Sequence, residues 1–295
     1  MMTRSHGVQV TMLNSMAGAD FGEAIARQKA WGVGLLDLKD SIFGKGIMDL
    51  TDEEADRAAG MARAGGQEVY CLSTGLFYDA VERGEEHFRA QHLARVARAV
   101  ELARILRPRF IRLLAATTRR RAEVTDAIAY LREEHPWVFE LYGEAVTRVT
   151  EAGFEATIEN EVGGCILSRP EEVTGLFAEL GHPEGACLTW DVQNLWQMGA
   201  FPSVEAYEDL RPLIGYLHLK GGIAGPGGTA LKWRSALEDA SWPVADILRA
   251  AVRDRVSPVI CLNSSHGEPK PGYDYGGVVE RDLRYTRRII EGTER

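Results

Sequence analysis

A chain of 295 residues with 45% hydrophobic content is long and apolar enough for one large α/β domain or two smaller ones, which excludes a disordered or fibrous class. Its formal net charge of −9 offers no general basic surface, so nucleic acid is not an expected partner. The N-terminal "MMTRSHGVQV" lacks a signal-type apolar region and no run of about 18 apolar residues occurs, so the expectation is a cytoplasmic protein with no membrane partner.

Short β-type runs recur along the chain. They are "VQVTML" (8–13), "GLLDLK" (34–39), "EVYCLS" (68–73), "RFIRLLA" (109–115), "FEATIE" (154–159), "ACLTWD" (186–191), "IGYLHLK" (214–220) and "PVICLN" (258–263). Between them lie stretches of helical periodicity, such as 85–106, where Phe88, Val96, Val100 and Leu102 alternate with charged residues. "TTRRRAE" at 117–123 reads as a solvated helix start or a small anion contact. Cys71, Cys165, Cys187 and Cys261 are far apart with no CxxC pair, and are expected to be free, buried thiols. Strand, helix, strand repeated eight times predicts an α/β fold, a single-domain (β/α)8 TIM barrel; a doubly wound open sheet is the runner-up, weakened by the lack of GxGxxG after the first strand.

Alternate residues of a barrel strand point out to the helices and into the barrel. Ala156 and Ile158, Leu188 and Trp190, Leu217 and Leu219, and Ile260 and Leu262 share the outward parity. Four consecutive strands then end on an inward polar residue, Glu159, Asp191, His218 and Asn263. Taken singly, each is better explained as an ion-paired or hydrogen-bonded core residue than as a ligand. Together at one mouth, two carboxylates repel unless a cation or a proton joins them, and a divalent cation satisfies all four. Two carboxylates, an imidazole and an amide oxygen suit Mn²⁺ or Mg²⁺ best, with Co²⁺ or Zn²⁺ also compatible.

"ATIENEVGG", "LTWDVQNLWQMG" and "YLHLKGG", in that order and spacing, resemble strand ends of the xylose isomerase-like TIM barrels, a superfamily of sugar and sugar-phosphate isomerases and epimerases. The resemblance spans nearly the whole chain and implies one such domain over 1–295. It implies metal ligation by Glu159, Asp191 and His218, joined in the family by a Glu ending the eighth strand. Here that Glu is Asn263, and the family's His-x-Lys-Asp is His218, Leu219, Lys220 and Gly221. An Asn carbonyl can ligate a hard cation but takes no proton at neutral pH, whereas the family's epimerases use that Glu as half of an acid/base pair.

The resemblance implies that Glu159 doubles as ligand and base. His266, three residues past Asn263, is the favoured replacement base because imidazole titrates near neutrality, although a plain loop histidine explains it equally well. Glu161 has the parity of Glu159 but lies further up. Lys220 shares the inward face of His218, to stabilise an oxyanion or to pair with a carboxylate. Asp37 and Lys39 are inward on strand two, to pair with each other or to bind sugar hydroxyls, and Asn194 has the latter role. Trp190 should face the helices, while Trp196 and Trp233 can wall a sugar face. "GGIAGPGGT" (221–229) reads as a flexible lid, with phosphate binding the weaker alternative, and Arg234 as a contact for a phosphate or carboxylate or as a surface ion pair.

The expected function is a divalent-metal-dependent isomerase or epimerase acting on a sugar, sugar acid or polyol, through a metal-stabilised enediolate or a hydride shift. The alternatives are a metal-dependent lyase of the C-glycoside-cleaving type, which resembles this superfamily and has a small partner subunit, and a non-catalytic sugar-binding homologue. A small carbohydrate is the expected ligand, and a homo-oligomer is compatible with the sequence.

Overall fold

Each of the eight apolar runs forms a strand in the computed structural model, which describes residues 7–226, 228 and 230–295. The barrel strands are β1 (Gln9–Met12), β2 (Leu35–Leu38), β3 (Glu68–Ser73), β4 (Phe110–Leu114), β5 (Glu155–Glu159), β6 (Ala186–Asp191) and β7 (Ile214–Leu219). After them come a short hairpin, β8 (Ile223–Ala224) and β9 (Leu231–Trp233), and the last barrel strand, β10 (Val259–Leu262). The sheet order is β1-β10-β7-β6-β5-β4-β3-β2, with every pairing parallel. Its two edges meet through a parallel bridge between Leu13 and Asp37, so the sheet is a nearly closed barrel rather than an open doubly wound one. The seam is reinforced by side chains. Thr11 Oγ1 donates to the Leu35 carbonyl at 2.6 Å, and Asn14 accepts the Lys39 amide at 2.9 Å while donating to the Asp40 carbonyl at 2.6 Å.

Strand parity sorts the apolar side chains into two layers. Ala156, Ile158, Leu188, Trp190, Leu217, Leu219, Ile260 and Leu262 pack with the helices, and Trp190 stacks on Tyr207 of the helix Val204–Leu210. Inside the barrel, Tyr70, Phe110 and Tyr216 form an aromatic plug with ring centroids 5.3–5.9 Å apart, together with Val259 and Cys261. Above the plug the interior turns polar, with Thr157 and Thr189 hydroxyls 2.5 Å apart and the charged strand ends higher still. Buried aromatics below and ionic groups above confine polar chemistry to the C-terminal mouth.

Local signals explain the helix ends. Thr51 and Glu54 form a capping box for Asp52–Gly65, which stops at Gly66 in the left-handed region at φ 72°. The stretch 85–106 is not one helix: Glu85–Phe88 and Val96–Leu106 flank a π-type turn, Arg89–Leu93. That turn carries His92 against Phe77, whose amide donates to His92 Nδ1 at 3.0 Å. No described helix is long and apolar enough to cross a membrane.

Candidate active site

Glu159, Asp191 and His218 lie at the ends of β5, β6 and β7 on the inward face, and the barrel brings one ligand atom of each within 4.8 Å of the others. All three are buried. His218 Nδ1 lies 2.9 Å from Glu159 Oε1 and 3.9 Å from Asp191 Oδ2, while its Nε2 faces Asp37 Oδ2 at 3.7 Å. Asp37 is fully buried beneath the imidazole, accepting from Ser73 Oγ at 2.5 Å and Tyr216 OH at 2.8 Å. The expected Asp37–Lys39 pair and the expected contact of Asp37 with sugar hydroxyls are therefore corrected. The Asp37 carboxylate lies behind the His218 ring, 3.7 Å from Nε2, and is closed off from the mouth.

Arg112, in the middle of β4, is the member of this cluster that the strand-end pattern misses. Its guanidinium is 2% exposed and donates from Nη1 to Glu159 Oε2 at 2.6 Å and from Nε and Nη2 to the Thr74 carbonyl. The available signal is an arginine set between apolar residues in "FIRLL" with the inward parity of Phe110. Lys220 supplies the second buried cation. Its ammonium meets Asp191 Oδ2 at 2.7 Å, Asn194 Oδ1 at 2.8 Å and His266 Nε2 at 2.9 Å, so each of its three N–H donors has an acceptor. Because the ammonium donates to Nε2, neutral His266 carries its proton on Nδ1. Asn194 thus holds Lys220, rather than standing free toward a sugar.

Asp191 also serves the backbone. Its Oδ1 caps the helix Val192–Gln197, accepting the Gln193 and Asn194 amides at 3.1 and 2.9 Å. This capping turns Oδ2 into the mouth. Asn263 lies just past β10, with Nδ2 3.4 Å from Asp191 Oδ2 and Oδ1 accepting the Ser264 amide, so it presents an N–H to the carboxylate in this arrangement. Gln193, which strand parity does not single out, ties the mouth together. Its side chain accepts the His266 amide at 2.6 Å, donates to Ser265 Oγ at 2.9 Å and hydrogen-bonds the Gly221 carbonyl. Gly221, where the family carries Asp, leaves no room for a side chain: a Cβ there would overlap the Ser235 carbonyl.

The remaining expected contacts lie outside this cluster. Residues 221–226 and 230–233 build the β8–β9 hairpin rather than a free lid, and Gly227 and Thr229 lie outside the described residues. Trp233 is flanked by the Lys232 and Lys270 ammonium groups, and the exposed Arg234 stacks on Tyr275 at 4.7 Å, so neither bonds the Glu159 cluster. Trp196 is 2% exposed and packs edge-on against Phe201, inside the core and not along the mouth.

Electrostatics follow this geometry. Burial alone would raise Glu159, but Arg112 and then His218 hold its carboxyl well below the usual range. Burial opposes the charged form of His218, yet the Glu159 carboxylate raises its proton affinity well above that of free imidazole. Glu161 is pushed up by burial and by the neighbouring Glu159 charge. His266 is lowered by burial of its ring and by the Lys220 charge.

The donor set suits a divalent cation. Among the described residues His218 Nε2 has no hydrogen-bond partner and faces the Asp37 carboxylate; with a proton kept on Nε2, a cation would displace the proton that Nδ1 shares with Glu159 Oε1 and take its lone pair. Arg112 occupies the other oxygen of Glu159, while Lys220 shares Asp191 Oδ2, which makes the site less negative than two free carboxylates. Asp79, His87 and His92 also cluster, but His92 Nδ1 accepts the Phe77 amide, so Nε2 carries the proton and has no lone pair to offer.

The sequence matches no family model and no curated protein. Solved structures do match over nearly their full lengths. A xylose isomerase-like TIM barrel protein from Mycobacterium smegmatis, in complex with magnesium, has 15% identity and a TM-score of 0.69, with 99% of each chain covered. D-psicose 3-epimerase, in the presence of D-fructose, has 15% identity and a TM-score of 0.68 over 96% of this chain and 99% of that one. A probable 3-DHS dehydratase of petrobactin synthesis from Bacillus anthracis has 14% identity and a TM-score of 0.67 over 95% of this chain and 99% of that one. The chain therefore has the fold of the xylose isomerase-like TIM barrels.

Proposed function

We propose that the protein is a divalent-metal-dependent isomerase or epimerase acting on a sugar, sugar acid or polyol. The observation that carries this reading is the convergence of Glu159 Oε1, Asp191 Oδ2 and His218 Nδ1, with Asp37 set behind the imidazole. Glu159, Asp191 and His218 would hold the cation, with Mn²⁺ or Mg²⁺ the best match to two carboxylates and one imidazole. An amide rotation would add Asn263 Oδ1 as a fourth ligand. A bound cation polarises a carbonyl and acidifies the neighbouring C–H and O–H groups.

The chain's own groups do the proton work. Arg112 keeps Glu159 ionised at neutral pH, which suits it as a cation ligand and makes it a weak base that takes a proton only transiently. Lys220 and His266, 2.9 Å apart, form a second proton-holding pair: the ammonium would deliver to a ligand oxygen that displaces one of its three acceptors, and Nε2 can receive from the ammonium. Trp233 and Arg234 remain proposed contacts only for a ligand large enough to reach the hairpin.

Metal content tests the foundation. After loading with Mn²⁺ and removal of excess, wild type is expected to keep a near-stoichiometric amount that folded Glu159→Ala and His218→Ala lose; equal content in all three would sink the site. A second reading, a lyase, is favoured by Asn263, which cannot serve as the partner base of a two-carboxylate epimerase. β-Elimination needs one base and one acid for the leaving group, which Glu159 and the Lys220–His266 pair can supply. Likeness to a dehydratase structure supports keeping it. Proton NMR of a sugar and C-glycoside panel in deuterium oxide separates the two: exchange with sugar interconversion supports the isomerase, and release of water or an aglycone supports the lyase.

A further inference from the structure

Beside the Glu159 cluster, over the β2–β5 side of the mouth, lies a cavity of about 450 Å³. Its volume falls within the range of small-molecule pockets, about 300–1,000 Å³. Lys39, Arg112 and Arg95 bring positive charge to its wall. Lys39 ends the β2 run with inward parity and is half-buried; its amide is tied to Asn14 Oδ1 at 2.9 Å and its carbonyl to the Ile47 amide at 2.8 Å. The Lys39 ammonium has no hydrogen-bond or ion-pair partner among the described residues, in contrast with Lys220, whose donors are all engaged. Arg112 directs three N–H donors to Glu159 and Thr74, which leaves two of the five in a guanidinium without an acceptor.

An ammonium that no protein acceptor holds, on the wall of a cavity, is free to pair with an anionic group of a ligand. Two acidic residues share the wall. Asp49 sits at the rim 3.8 Å from Arg95, and Glu161 turns one oxygen back to the Val162 amide at 3.1 Å, so neither reaches Lys39. We propose that the ligand of this mouth carries an anionic group, a carboxylate or a phosphate, that docks between Lys39 and Arg112 in this cavity. The inference rests on the reading of the mouth as a sugar-processing site and narrows its substrates to acidic sugars. It gives Arg112 two roles, holding Glu159 with one edge and the ligand's anion with the other.

Calorimetric binding to the Mn²⁺-loaded protein tests this, with D-glucuronate and D-fructose 6-phosphate as acidic probes and D-glucose and D-fructose as their neutral counterparts. Wild type should bind at least one acid at least about tenfold tighter than its neutral counterpart, the scale of a charge-assisted hydrogen bond, and that preference should shrink with added salt. Tighter binding of the uronate names a carboxylate, and tighter binding of the phosphate ester names a phosphate. Lys39→Met should bring the acid-to-neutral ratio close to one, whereas Lys29→Met, an equal charge change at an exposed site, should leave the ratio as it is. Equal binding of acid and neutral sugars, no binding of any probe, or equal effects of the two lysine variants would overturn the proposal. Metal content reads the parent proposal separately, so a protein that retains Mn²⁺ yet shows no acid preference loses only the subsite.

Discussion

Arg112 and Glu159 bury opposite charges 2.6 Å apart, at 2% and 1% side-chain exposure. Removing one partner from such a pair strands the other, which typically costs about 3–5 kcal/mol, whereas replacing both with neutral groups of similar size is close to neutral. Arg112→Met should therefore lower unfolding free energy by about that amount in urea titration, and Arg112→Met/Glu159→Gln should recover part of it, since the Thr74 carbonyl still lacks its two N–H donors. Additive losses in the double variant would mean that the two charges do not depend on each other. Glu159, Asp191 and His218 were legible in the sequence because period-two parity marks every strand end, and polar residues stand out against apolar neighbours. Arg112 was not legible from strand ends alone, since it lies two residues before the end of β4 and reaches the mouth only through its long side chain. The partners of Asp37 and Lys220 were likewise hidden, because they are fixed by strands far apart in sequence, such as Tyr216 for Asp37 and the residues past β10 for Lys220.

At the scale of single elements, the helix Val278–Thr293 carries Asp282 on its buried face, where Oδ1 accepts the Leu237 amide at 2.7 Å. Burial outweighs that hydrogen bond and pushes the carboxyl up to about 7. An unfolded aspartate titrates near 3.8, so between about 4 and 7 the folded state keeps a proton that the unfolded state has lost. Stability from this group is thus full below that window and falls as pH rises through it. Asp282→Asn preserves an acceptor for the Leu237 amide and removes the titration. Melting temperatures across pH 4 to 8 should show wild type losing stability relative to the variant, and parallel curves would place the cause elsewhere. Helix existence was legible from periodicity, whereas irregularities were not. The π-type turn at Arg89–Leu93 is set by His92 reaching the Phe77 amide, a contact between segments that local periodicity does not encode. The glycine-rich run 221–229 reads as a lid, yet Gly221 is required by the close passage of the Ser235 backbone, and β9 is held by a bridge from Trp233 to Glu268.

For the molecule as a whole, eightfold strand repetition predicted the barrel, but how evenly it closes depends on pairing between the first two strands, which no residue pattern records. β4 and β5 share five consecutive paired positions, whereas β1 and β2 meet at the single Leu13–Asp37 bridge. The Thr11 hydroxyl takes over at the Leu35 carbonyl where backbone pairing is missing, and Asn14 does the same at Lys39 and Asp40. Fewer backbone hydrogen bonds at one seam imply that the barrel opens there before it unfolds globally. Hydrogen exchange read by mass spectrometry should find the peptides spanning β1 and β2 exchanging faster than those spanning β4 to β6. Thr11→Val, close to isosteric, leaves the Leu35 carbonyl without its donor and should lower the opening free energy of the seam by about 1–3 kcal/mol. Because Lys39 follows β2 directly and its amide is pinned by Asn14, the same opening would displace the unpaired ammonium from the cavity. An anionic sugar held there should in turn slow exchange across β1 and β2. Uniform protection around the barrel, unaffected by Thr11→Val, would show that the side-chain seam is as strong as a regular ladder.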